Sequence, residues 1–307
     1  MTKKQLIRRS ATFIILALTI IGAVYYLVKH RSLLTQLGHI SPWVIVAVFL
    51  LYVVLFVVLM LILDATLKLC RIKLGKQENI LLNAYTLIIN NFFIIGQNGP
   101  IFRGYYLKTR HNLKVRNYAA VTLLYFLIYG IISVFFISLG SQAWWLTTLL
   151  GIVMVGMAVG LIKLYVRRKK FKAQELSVTP KGLVYLMVVT ALQVIVQTII
   201  YGVELHNSGH IRVNVSQIIT YSGTANLALF VALTPGAIGI RESFLILSER
   251  LNHVTSGMIV VANVIDRSVY LAFLLVLLVL LVITLSIHAK DKLTVKPPAE
   301  TDPKDKG

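Results

Sequence analysis

Long apolar runs separated by short basic segments dominate this chain. The N-terminal stretch Thr2–Ser10 carries Lys3, Lys4, Arg8 and Arg9, and the run Ala11–Val28 after it is long enough for an uncleaved first helix. A connection with Lys29, Arg31 and Pro42 leads to a second run over Trp43–Leu63, with Trp43 suited to the membrane interface. The basic segment Asp64–Asn79 follows, then Ile80–Ile95, which ends in the helix-breaking GQNGP of Gly96–Pro100. Further runs cover Tyr118–Leu139, Leu146–Val166 and Gly182–Val203. Val215–Leu233 closes on a second break, LTPGAIGIRE over Leu233–Glu242, and an amphipathic segment continues to Leu251. Gly257–Ile287 is the last apolar run, interrupted only by Asp266-Arg267.

Runs of this length predict an all-α, multi-pass helical membrane protein. Of 307 residues, 57% are hydrophobic and only 14% charged, which excludes an ordinary soluble domain. Residues 1–289 are expected to form one membrane domain. Residues 290–307, charged and proline-bearing, are expected to form a disordered cytoplasmic tail.

The net charge of +20 is assigned to membrane topology rather than to nucleic acid, because the basic residues lie between apolar helices and no nucleic-acid-binding motif is present. If Ile80–Ile95 crossed the bilayer, the basic stretch Arg103–Arg116 and the still more basic Arg167–Lys181 would both face outside. If the chain instead dips in and returns by Arg103, 24 Lys and Arg lie inside and 5 outside. The same reasoning makes Val215–Leu251 a dip from the outer face. The plan is therefore about six spanning helices plus two oppositely entering re-entrant hairpins, about eight hydrophobic helical units, with both termini cytoplasmic.

The two breaks resemble each other. Each combines Gly and Pro with a following arginine: Gly96, Gly99, Pro100 and Arg103 in the first, Pro235, Gly236, Gly239 and Arg241 in the second, where Glu242 follows. Paired broken helices entering from opposite faces are the pattern of inverted-repeat transporters, in which they build the substrate site near the midplane. Helix N-termini and fixed arginines favour an anion, such as a phosphate-bearing lipid headgroup. Arg103 could equally be one more inside-facing charge, whereas Arg241-Glu242 lies where positive charge is scarce. Asn90 and Asn91 could line the first break or cap freed backbone groups. Asp266 and Arg267 could form a structural pair or belong to the site.

Other patterns are weaker. Glu204, His206 and His210 have metal-like spacing, but Asn207-Ser208-Gly209 reads as loop and no metal is assigned. Gln193 and Gln197 sit one helical turn apart and are expected to join helices. Cys70 is the sole cysteine and is given no role. No soluble catalytic motif is found, and neither catalytic residues nor a cofactor are expected.

LTPGAIGIRESFLI, followed by a helix bearing Asp266-Arg267-Ser268-Val269-Tyr270, resembles the membrane region of lysylphosphatidylglycerol synthases and related flippase-like proteins. NNFFIIGQNGPIFRGYYLK resembles the family's Asn-Asn and Pro/Gly-rich segment, and the likeness extends over nearly the whole chain. AAVTLLYFLIYG departs from it, because the Asp-Arg pair often found in that helix is missing. The resemblance implies translocation or handling of a lipid, with Tyr270 among the supporting residues. Expected partners are membrane lipids, either an anionic phospholipid or a polyprenyl-phosphate-linked lipid. A non-transporting partner of a separate lipid-modifying enzyme or glycosyltransferase is the alternative. Phosphatidylglycerol lysyltransfer by the chain itself is not expected, since the synthases perform it with a soluble domain that follows the membrane region.

Overall fold

The computed structural model describes residues 41–92, 98–141, 179–208, 213–231 and 254–291, with isolated positions at 145, 148–149, 151–152, 156, 245 and 249. Seven helices fall in these segments: α1 Pro42–Leu69, α2 Lys76–Phe92, α3 Asn98–His111, α4 Val115–Gly140, α5 Pro180–His206, α6 Val215–Val231 and α7 Ser256–Asp291. The expected helix Ala11–Val28 and most of Leu146–Val166 lie outside the described residues, as do residues 292–307.

Among the described residues, four segments are long and apolar enough to cross a membrane: α1, α4, α5 and Gly257–Thr284 within α7. Their apolar residues face both ways. Val46, Leu50, Val53 and Val57 of α1 and Val184, Met187, Val188 and Ile195 of α5 are exposed, while Gln193, Gln197, Glu204 and Asp266 are buried. Apolar groups outside and polar groups between helices is the arrangement that a lipid solvent selects. The protein is an all-α integral membrane protein.

Helix ends explain how the chain turns. α1 runs six residues past the expected Leu63, carried by an Asp64–Lys68 ion pair of 2.7 Å one turn apart. It ends in a Schellman cap: Arg71 adopts φ 58°, Ile72 N–H donates to Leu67 O and Arg71 N–H to Lys68 O. Burial pushes the neighbouring Cys70 thiol up to about 11, which keeps it protonated and unreactive. After α3, Asn112 takes the same left-handed conformation (φ 56°). Thr179 caps α5 by accepting from Gly182 N–H, ahead of Pro180 in the first turn.

α2 and α3 form an antiparallel hairpin. Gly99 N–H donates to Asn90 Oδ1 near the tip, Arg103 reaches Asn83 and Thr86 halfway down, and Tyr106 and His111 meet Glu78 at the base. With 17 and 14 residues, the arms are about 26 and 21 Å long, short of the roughly 30 Å apolar thickness of a bilayer. The hairpin therefore enters and leaves at one end of the bundle, as the charge distribution requires.

Lys68, Arg71, Lys73, Lys76, Lys108, Arg110, Lys114, Arg116 and Lys181 gather at that end, where Gly182 abuts Leu69 and Lys68 Nζ sits 4.7 Å from the Tyr185 ring centroid. α6 starts at the opposite end, where Ser216 donates to Gly140 O at the close of α4. The two 17-residue helices α2 and α6 thus enter from opposite ends.

The packing has a two-fold character. Exchanging α1 with α5, α2 with α6 and α4 with α7 maps the observed neighbours onto one another. α1 packs on α2 as α5 does on α6; α4 packs on α6 as α7 does on α2; α4 packs on α5 as α7 does on α1; and α1 packs on α4 as α5 does on α7. Individual contacts repeat too. Tyr52 of α1 bonds Asp266 of α7, and Gln193 of α5 bonds Tyr125 of α4, with 141 positions separating Tyr52 from Gln193 and Tyr125 from Asp266. This is an inverted repeat.

The hairpin base is a stability element at the basic end. Partial burial raises the Glu78 carboxyl, but hydrogen bonds from His111 and Tyr106, each 2.7 Å, outweigh it and hold the group below its ordinary value. Because the unfolded chain takes up this proton first, the contribution is complete above about pH 4.3 and is lost as the pH falls through the depressed value. Glu78→Gln is expected to remove about 1 kcal/mol and to flatten this acid limb, as read by thermal unfolding across the acid range.

Candidate functional site

A polar stripe crosses α2 at helical spacing: Asn79, Asn83, Thr86 and Asn90. Asn83 is 1% exposed and Thr86 4%, so the stripe faces protein, not lipid. Arg103 reaches across from α3, donating from Nη2 to Asn83 Oδ1 (3.0 Å) and from Nε to Thr86 Oγ1 (3.2 Å). A guanidinium has five N–H donors. Three of those on Arg103 have no partner among the described residues. Its field also reaches the Tyr125 ring on α4. The side chain is half-buried and held in place by two neutral acceptors, with no carboxylate bonded to it among the described residues. A fixed fork of unused donors can receive an oxyanion in bidentate fashion.

The tip above it is closely packed. Asn90 Oδ1 already accepts from Gly99 N–H at 2.6 Å, and Pro100 has no N–H to offer, so donors at this helix start come from beyond these two residues. A Cβ on Gly99 would lie 2.6 Å from Asn90 Oδ1 and 2.8 Å from Asn90 Cγ; only glycine lets α3 begin this close to α2. Gly96 lies outside the described residues.

Asn91, one position round the helix, donates to Leu87 O and to the Tyr270 hydroxyl of α7 at 3.1 Å. Tyr270 packs against Tyr52 with ring centroids 5.0 Å apart, and Tyr52 donates to Asp266. Asn91, Asp266 and Tyr270 therefore belong to one network that ties the first hairpin to α7 and α1. Arg267 is half-buried on the same helix and acts on Tyr270. Pro235, Gly236, Gly239, Arg241 and Glu242 lie outside the described residues.

The sequence reading missed Tyr52, Asn83 and Thr86. The α2 stripe was available as a signal, because four polar residues recur every three or four positions in an apolar segment. Tyr52 carried none, being one aromatic residue among aliphatic neighbours. Gln193 and Gln197 join helices as expected, accepting from Tyr125 (2.8 Å) and Tyr129 (3.0 Å). Glu204, just past the end of the expected run at Val203, lies inside α5 and is fully buried. Among the described residues no group of His, Cys, Asp and Glu is arranged to hold a metal, and His210 lies outside them.

A family profile described as "Lysylphosphatidylglycerol synthase TM region" matches residues 13–278, from the expected first helix through both breaks and well into α7. The chain belongs to this family. Membership accounts for the membrane character and relates the protein to lipid handling. A search of curated proteins returns no match.

Proposed function

We propose that this member of the lysylphosphatidylglycerol synthase transmembrane family translocates a lipid with an anionic, phosphate-bearing headgroup between leaflets of the plasma membrane. The observation that carries the reading is Arg103: a cation inside a membrane bundle, fixed by Asn83 and Thr86, with donors to spare. Charge inside a membrane protein is retained where it meets substrate or a partner charge. The inverted repeat adds support, since its symmetry makes α6 the counterpart of α2, and the sequence after α6 carries Arg241. In this scheme Arg103 and Arg241 share the headgroup while the acyl or prenyl chains stay in lipid. The basic end of the bundle is cytoplasmic by the positive-inside rule, and the chain acts as a transporter rather than an enzyme.

Proteoliposomes carrying fluorescent phosphatidylglycerol or phosphatidylcholine test this through leaflet accessibility to a membrane-impermeant quencher. The expected result is leaflet exchange well above empty vesicles, faster for the anionic lipid. Rates equal to empty vesicles, together with co-purification of a glycosyltransferase or lipid-modifying enzyme, would replace transport by the partner role.

A further inference from the structure

The two mated helices α2 and α6 are held in the bundle in different ways. α6 is sewn to its neighbours. Its Ser216 donates to Gly140 O of α4 at 2.7 Å, and its Ser222 shares a hydroxyl hydrogen bond of 2.7 Å with Thr198 of α5. Three glycines set the spacing. Gly140 lies against Ser216 and Thr220, Gly223 against Ser133 and Ile137, and a Cβ on Gly202 of α5 would lie 3.3 Å from Ile218 Cγ2. Backbones admitted through such local notches resist sliding past one another.

α2 is attached more loosely. The side-chain hydrogen bonds described between it and helices outside its hairpin are Asn91 to Tyr270 of α7 at 3.1 Å and Asn79 to Met60 O of α1 at 3.2 Å. The inverted repeat supplies the comparison. The positions 141 on from Ser133, Ile137 and Gly140 of α4 are Leu274, Leu278 and Leu281 of α7, so leucine replaces the notched face. Tyr270, Leu274 and Leu281 share one face of α7. Lipid tails are as apolar as leucine, so contacts of this kind exchange for lipid at little cost. The association of α2 with α7 is accordingly much weaker than that of α6 with α4.

Inside the hairpin the order reverses. Gly99 bonds Asn90 at 2.6 Å, Arg103 bonds Asn83 at 3.0 Å and Thr86 at 3.2 Å, and Glu78 meets Tyr106 and His111 at 2.7 Å each. Stitches at tip, middle and base make the two arms one body. Both ends of that body leave through a left-handed residue: Arg71 (φ 58°) precedes α2 and Asn112 (φ 56°) follows α3. Side chains seldom adopt this conformation, and it gathers at switch regions. Gly75, just before α2, has open space around its would-be Cβ.

We propose that the α2–α3 hairpin is the moving part of this protein. It shifts as one body against α1, α4 and α7, turning at Arg71–Gly75 and at Asn112, while α4, α5 and α6 stay fixed together. Residues at element ends that absorb backbone change are what a rigid-body shift requires. Arg103 travels with the hairpin, because the bonds that hold it lie inside it. This rests on the lipid translocation proposed above for its use: the motion carries a headgroup held by Arg103 past the fixed half of the repeat.

Spin-label distances test the motion without transport. In a Cys70→Ala background, labelled cysteines replace the exposed residues Ile80, Ile101, Val184 and Val215 in pairs, in nanodiscs of phosphatidylglycerol and phosphatidylcholine. The pair at Ile101 of α3 and Val184 of α5 is expected to give two distances about 5 Å or more apart, the size of a one-turn shift. Ile80 with Ile101, inside the hairpin, and Val184 with Val215, inside the fixed part, should each give one narrow distance. A single narrow distance for Ile101 with Val184 overturns the proposal, and so does an equal spread in either other pair.

In proteoliposomes, a short cleavable thiol bridge then joins Gly104→Cys to Tyr118→Cys, where a Cβ on Gly104 of α3 would lie 3.2 Å from the Tyr118 ring of α4. Bridging should slow anionic-lipid exchange about tenfold or more, and reduction should restore it. The same bridge between Thr198→Cys and Ser222→Cys, across the fixed seam, should leave the rate unchanged. Full exchange by the bridged hairpin overturns the proposal, and loss on bridging the α5–α6 seam overturns the fixed role of α6. Two distances without any wild-type exchange would keep the moving hairpin and reject the lipid reading; exchange with a single distance would do the reverse.

Discussion

Gly223→Val is expected to prevent the bundle from assembling. A Cβ at Gly223 of α6 would lie 2.6 Å from Ile137 Cγ1, 2.7 Å from Ser133 O and 2.9 Å from Ile137 N, and two of these three atoms are α4 backbone that no rotamer change can move. About one turn along, the Cβ of a residue replacing Gly140 would meet Thr220 Oγ1 and the Ser216 carbonyl. The two glycines, one on each helix, let α4 and α6 approach closely over neighbouring turns, the use that membrane helices make of small residues. This pair is the most closely associated in the described structure, and it fixes the entry of α6 from the end opposite the basic one. Alanine should cost about 2 kcal/mol and valine about 4 kcal/mol or more, comparable to the whole stability of many domains. Size-exclusion chromatography and thermal unfolding in detergent give the readout. Gly75→Ala is the control: nothing lies within 4 Å of its would-be Cβ, so its melting temperature should stay near wild type. A Gly223→Val protein that elutes and melts like wild type would mean that this crossing is looser than described.

The spanning helices were legible because lipid leaves a simple trace. α1, α4 and α5 needed only continuous apolar length, and they were found with errors confined to their ends. Those errors have local causes. The apolar runs end at Leu63 and Val203, yet Asp64 pairs with Lys68 along the helix and Glu204 is sheltered by neighbouring helices. α7 likewise outlasts the apolar run by one turn, reaching Lys290 and Asp291 where the tail is expected to begin. The first hairpin was legible from charge rather than hydropathy: Ile80–Ile95 alone looks like a span, and only the arginines and lysines after it forced a return. Side-chain partners were not legible. Nothing in the run around Tyr52 indicates a bond to Asp266, 214 positions away, since that pairing depends on how α1 and α7 rotate about their axes. The repeat was anticipated from the two breaks, but its residue correspondence emerges only when Tyr52–Asp266 and Gln193–Tyr125 are both in place. In the α4 half tyrosine stands where α7 has aspartate, so residue identity hides the relation that position keeps.

Arg103→Ala is expected to lower exchange of an anionic lipid about 100-fold or more. A guanidinium that meets a phosphate through two charge-assisted hydrogen bonds contributes about 3 kcal/mol or more, and each 1.4 kcal/mol is a factor of ten. Alanine does a second thing, however. It removes the donor to Asn83 Oδ1, an atom of a residue 1% exposed, and an acceptor stranded there costs about 1–3 kcal/mol. Loss of activity in this variant alone therefore has two explanations, and two further variants separate them. Arg103→Gln keeps an amide able to donate toward Asn83 while removing the charge; it should melt close to wild type and still lose most of the exchange. Arg103→Lys keeps the charge but loses the planar fork, and should retain more exchange of anionic lipid than glutamine, with the loss near tenfold. Exchange of phosphatidylcholine should change less across the series than exchange of phosphatidylglycerol. If glutamine supports wild-type exchange while alanine does not, Arg103 is a stitch between α2 and α3, and the headgroup must be held elsewhere.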